Sequence, residues 1–133
     1  MCASLLPHAL TASGHAEQLG AELLVTSSLL NRAAGYLYGR GELAQARPLF
    51  ERALDICEAH LDPGHLNTAT TLDSLGNVLH GLGELSAART TLERALAIRE
   101  AQFGPDHPNT VMVLENLASV LVGLGARVEP PGE

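Results

Sequence analysis

The sequence predicts an all-α chain of stacked antiparallel helix-turn-helix units, and three observations carry that expectation. Gly41–Leu82 laid over Gly83–Leu124 without a gap gives 22 identical pairs out of 42. A fixed period of this length means repeated supersecondary units rather than one globular core. Helix formers dominate the composition, with only 3% aromatic residues and no Trp, which suits closely packed helices. Glycine and proline breakers recur at fixed places, Asp62-Pro63-Gly64-His65 in one copy and Gly104-Pro105-Asp106-His107 in the next. About six helices are expected, in one domain over residues 1–125.

The first helix is expected over residues 3–19. Ser4 is the candidate N-cap and Pro7 falls in the first turn, where its missing N–H costs little. Gly20 is expected to end it, which sets residues 1–20 apart as an N-terminal helix. The second helix reads as 23–39, with Leu24, Leu30, Ala33, Ala34 and Leu37 inward. Gly39, Arg40 and Gly41 make a turn. The third helix runs over about 43–61, with Pro48 near its start and Ala46, Leu49, Phe50, Ala53, Leu54 and Ile56 inward; 23–61 is thus the first full repeat. The fourth (66–81) and fifth (85–103) make the second repeat, 66–103. The sixth (about 108–123) begins a half repeat, 108–124, with Pro108 at the first helical position and His107 as N-cap. Residues 126–133 hold two prolines and no periodicity, and read as a disordered tail.

Composition narrows the function classes. Eight Arg, no Lys and fifteen acids give a net charge of -7, which opposes binding to a phosphate backbone, so no nucleic-acid partner is expected. No stretch of about 20 apolar residues is present, because Glu115 interrupts the longest candidate, so no membrane span is expected. The N-terminus lacks a basic stretch before an apolar one. Cys2 and Cys57 fit no metal or redox spacing. These features favour the cytoplasm. Arginine without lysine, beside abundant Ala and Gly, points to a GC-rich bacterial coding sequence.

The pattern inside each copy resembles the tetratricopeptide repeat (TPR). In the second copy Leu72, Leu75, Gly76 and Leu79 on helix A precede Gly83, Leu85, Ala88, Leu92, Ala95 and Leu96 on helix B. Small residues at Gly76, Ala88 and Ala95 let two antiparallel helices approach closely. The resemblance implies a right-handed superhelical solenoid. Its usual period is 34 residues; here it is 42. Ala46-Arg47-Pro48-Leu49, Glu51-Arg52-Ala53-Leu54-Asp55-Ile56 and Gly104-Pro105-Asp106-His107-Pro108 resemble the kinesin light-chain class of TPR. The opening Leu5-Leu6-Pro7-His8-Ala9 and Gly14-His15-Ala16-Glu17 resemble the segment leading into the TPR array of bacterial NB-ARC/TPR regulators. The chain has no GxxxxGK[ST], so that likeness implies at most the sensor portion of a larger ATP-dependent signalling protein.

In TPR proteins the helix A faces line a concave groove for a peptide or partner helix. Carried over by repeat position, the groove comprises Ser28, Asn31, Arg32, Gly35 and Tyr38; then Thr70, Asp73, Ser74, Asn77 and His80; then Met112, Glu115, Asn116, Ser119 and Val122. Only Arg32 among them is basic, and Asp73 and Glu115 oppose it, so the family's carboxylate clamp is not matched. Six histidines invite a metal reading, but no Cys or carboxylate completes a set with any of them. His65 and His107 share one linker slot, which a capping role predicts. No nucleophile turn or phosphate loop is present. The expected function is therefore a non-enzymatic protein-interaction scaffold without metal or cofactor.

Self-association is a further expectation. The first helix takes the place of a helix B without its helix A, and the sixth is a helix A without its helix B, so the two ends look complementary. Val111, Val113, Leu114, Leu117, Ala118, Val120, Leu121, Val122 and Leu124 cover an arc of roughly 200°, about twice what one neighbour needs. Leu114, Leu117, Leu121 and Leu124 are the candidate contacts of a two-fold dimer. The other explanation is a chain that forms part of a longer array.

Overall fold

A computed structural model describes residues 12–62 and 64–127. They form five helices: α1 (Ala12–Gly39), α2 (Leu43–His60), α3 (Leu66–Gly81), α4 (Leu85–Phe103) and α5 (Pro108–Arg127). No strand occurs among the described residues. Each helix packs against its neighbours in sequence, and α3 also touches both α1 and α5. This is the contact order of successive hairpins, with α1, α3 and α5 as A helices and α2 and α4 as B helices.

The turn between an A and a B helix is built identically twice. Gly41 and Gly83 stand at φ 81° and 83°, a conformation that a Cβ disfavours. Around them the Glu42 N–H donates to the Leu37 carbonyl and the Gly41 N–H to Tyr38, both at 2.9 Å; Glu84 to Leu79 and Gly83 to His80 repeat the pattern at 2.9 Å. These bonds close the helix end that would otherwise leave carbonyls unpaired. The linker between repeats is closed by histidine. His65 Nδ1 accepts from the Asn67 N–H at 3.0 Å, and His107 Nδ1 accepts from the Asn109 N–H at 3.0 Å. Both histidines therefore cap, as their shared slot predicts.

Two elements differ from the expectation. Gly20 does not separate two helices: α1 runs through it for 28 residues. Gly20 has open space around it and is not among the glycines with positive φ. One interior glycine costs a helix about 1 kcal/mol, less than the strong helix formers on either side of it supply. There are thus five helices among the described residues, not six, and residues 12–19 belong to α1 rather than to a separate helix. At the other end α5 continues past Gly123 and Gly125 to Arg127, so the helix overruns both the half-repeat limit at 124 and the start of the expected tail. Residues 128–133, Cys2, Ser4, Pro7 and His8 lie outside the described residues.

The core runs along the stack through Ala34, Ala46, Phe50, Leu54, Leu72, Leu75, Val78, Leu79, Ala88, Leu92, Ala95, Val113, Leu117 and Val120. Ala33, expected inward, is exposed; Ala34 beside it is buried. Small residues sit where helices come closest. Ala88 and Ala95 are fully buried, and a Cβ built on Gly76 would lie 2.5 Å from Leu92 Cδ2. A second socket repeats along the stack: a Cβ on Gly81 would meet Leu43 Cδ1 at 2.5 Å, and one on Gly123 would meet Leu85 Cδ1 at 3.1 Å. Exposed ion pairs add little to this: Arg47 with Glu51 and Glu84, Arg89 with Glu93, and Arg94 with Glu58.

Two substitutions of opposite sign test this packing by thermal unfolding. Ala95→Leu overpacks the α3–α4 seam and should destabilise by about 1–3 kcal/mol. Gly20→Ala should stabilise by about 0.5–1 kcal/mol, since it lengthens an uninterrupted helix into open space. A loss of stability in Gly20→Ala would mean that α1 breaks there.

Candidate functional site

The A helices α1, α3 and α5 are linked by polar rungs. Between α1 and α3, Asn31 Nδ2 donates to Thr71 Oγ1 at 3.0 Å. The Thr71 hydroxyl donates its own proton to the Asn67 carbonyl at 3.0 Å, so Asn31 must turn its amide nitrogen to Thr71. Its Oδ1 is then buried with no partner. Between α3 and α5, Asn116 Nδ2 donates to Asp73 Oδ1 at 3.1 Å.

These rungs change the standing of two expected groove residues. Asp73 is buried, and its carboxylate is committed to Asn116 rather than offered to a ligand. Burial pushes its pKa up, while the Asn116 hydrogen bond and the nearby Arg99 charge pull it down; burial is the larger effect. Asn116 is half-buried for the same reason. Ser28, Arg32, Gly35, Tyr38, Thr70, Met112, Glu115, Ser119 and Val122 are exposed, and Ser74, Asn77 and His80 are half-buried. Ser119 spends its hydroxyl on the Glu115 carbonyl at 3.2 Å.

Four of the expected groove residues come together. Ser28, Asn31, Arg32 and Thr70 line a cleft of about 230 Å³ between the two repeats, with Leu24, Ser27, Cys57 and Asn67 as the remaining walls. Ser27 lies 3.3 Å from both the Ala53 carbonyl and Cys57 Sγ through its hydroxyl. The other expected groove residues do not line this cleft.

Arg99 is the residue that sequence reasoning missed. It lies on helix B, outside the faces counted for the groove, yet it is only 8% exposed. Its Nη2 donates to Thr70 Oγ1 at 3.2 Å and its Nε has no partner. The repeat held a usable signal: 42 residues before Arg99 stands Cys57, an unlike residue within a well-matched helix.

The expected dimer face divides. Leu117 is 7% exposed and belongs to the core, and Leu124 packs against that core, so neither is available as a contact. Leu114 (38% exposed), Leu121 (44%) and Val122 (71%) do face outward. The expected B-like helix over 3–19 is not separate from the A helix among the described residues, since Ala12–Gly39 is one helix. Among the described residues no group of three His, Cys, Asp or Glu is placed to hold a metal ion, and no helix is long and apolar enough to cross a membrane.

Successive antiparallel helical hairpins, with small-residue seams and one polar face of A helices, define a helical-repeat protein. The tetratricopeptide repeat pattern matches residues 25–101 and again 74–127. The chain belongs to the tetratricopeptide repeat family, whose repeats generally mediate protein–protein interaction. Comparison with curated proteins gave no match.

Asp73 yields a signed prediction. A carboxyl whose folded pKa is raised favours the fold below its unfolded pKa, and that contribution is lost as pH rises through the folded value. At neutral pH the buried carboxylate is therefore a cost. Asp73→Asn keeps the Asn116 hydrogen bond and removes the charge, so at pH 7 it should be at least as stable as the parent. The advantage should shrink as pH falls through the raised folded pKa of Asp73 and be gone below about 4. Denaturant titrations of both proteins across pH check the sign.

Proposed function

We propose that this chain is an interaction scaffold whose A-helix faces hold a peptide or a partner helix. The observation that carries the reading is the cleft itself: four residues assigned to the groove by repeat position converge on it, with a buried acceptor on Asn31 left unpaired. An exposed Arg32 makes no ion pair among the described residues, which leaves its donors for a backbone carbonyl of the peptide. In this reading the hairpins continue as a right-handed solenoid of the 42-residue, kinesin light-chain-like kind, and Asn77, His80, Ser74 and Glu115 extend the binding face from the cleft toward α5. Capture from an extract of the cell that makes the protein tests it, comparing the parent with Asn77→Ala, His80→Ala combined. Neither residue is fully buried, so helicity should be unchanged. Loss of two hydrogen bonds should weaken a captured partner about tenfold. Equal retention by parent and variant would remove the groove as the binding site.

Exposed Leu114, Leu121 and Val122 favour a second reading, a two-fold dimer through α5. An apolar face of this kind usually marks an interface. At micromolar concentration the parent should sediment as a dimer and Leu121→Glu as a monomer. A parent that runs as a monomer would end this reading and leave the groove untouched.

A further inference from the structure

The two repeats differ at one buried position, and the difference leaves a hole. In the second repeat Arg99 enters from helix B, donates to Thr70, and sits in the field of Asp73. Forty-two residues earlier the same three positions are Cys57, Ser28 and Asn31. All three line the 230 Å³ cleft. Where the second repeat is filled by its own guanidinium, the first carries a short thiol and open space.

One acceptor at the wall of that space, Asn31 Oδ1, lacks a donor. A guanidinium is a planar group of donors with no acceptor, which suits such a site. The net charge of -7 draws cations toward the chain. Arg32 at the cleft opposes this only weakly, since it is exposed and its charge is screened by water and salt.

We propose that this cleft receives the guanidinium of an arginine side chain presented by the partner, in the place that Arg99 takes one repeat later. The peptide context rests on the groove reading above; the cleft's preference for a guanidinium does not. The full chain, labelled for amide NMR, is titrated with N-acetylarginine methylamide, with its citrulline counterpart, and with N-acetylglutamate methylamide. A fragment of this size should bind with a Kd of about 1 mM. Shifts should centre on Ser28, Asn31, Asn67 and Thr70. Citrulline has the same shape without charge and should bind about tenfold more weakly, because charge-assisted hydrogen bonds are the stronger ones. Cys57→Arg, which fills the cleft from within, should abolish the shifts. Ser28→Phe closes it from an exposed position and gives the same answer if Cys57→Arg does not fold. No shifts at these residues with the arginine probe, or tighter binding of the glutamate probe, would overturn the proposal. A bound probe together with unaltered partner capture by the Asn77 and His80 variants would overturn the groove and leave the cleft standing. The reverse pair of results would overturn the cleft alone.

Discussion

Everything in this structure depends on how closely α3 and α4 approach. Leu92 rests where the Cβ of any other residue at Gly76 would be, 2.5 Å from its Cδ2. Ala88 and Ala95 hold the same seam open for close backbone contact by offering only a methyl each. A close-packed interior tolerates no gap and no excess volume there. Because the seam is tight, Leu92 is fully buried, and α4 is set at a fixed height along α3. That height in turn brings Arg99 to Thr70 and α5 to the far side of α3.

The same logic repeats at the join between hairpins. Leu43 on α2 fits over Gly81, and Leu85 on α4 fits over Gly123. A contact that recurs at one sequence separation propagates the stack, since each repeat touches chiefly its neighbours. Polar rungs then fix the A helices to one another. Three of the four residues in Asn31–Thr71 and Asp73–Asn116 belong to the expected groove set. The face proposed to meet a partner is therefore partly spent on holding itself together. This is why the available groove is smaller than the helix faces that define it.

Cys57 and Arg99 show how one repeat carries a cleft that the next one fills. Both positions are buried and both lie on the inner side of helix B. An arginine there closes the second repeat with its own donors. A cysteine leaves the first open, with one buried, unpaired acceptor on Asn31 at its wall. The backbone around the two is alike, so the difference in chemistry is carried by one side chain.

The period of 42 determined most of the fold by itself. It placed α2 to α5, their turns at Gly41 and Gly83, and the histidine caps, because each had a second copy against which to be read. The small residues of the seam were legible for the same reason. Residues before 24 have no copy, so Gly20 was read from local propensity alone, and local propensity misled. A glycine ends a helix where the chain takes a positive φ, as Gly41, Gly83 and Gly104 do; Gly20 does not. Which groove-side side chains stay exposed was decided only by tertiary structure. Asp73 looks like a solvated acid in sequence, but Asn116 comes from 43 positions away to accept its burial. Leu117 looks like part of an outward arc, but it is buried in the core. Long-range contacts of this kind depend on the height and spacing of helices, which periodicity sets only to within a turn. Ångström-scale packing at Gly76 and Gly81 settles the rest.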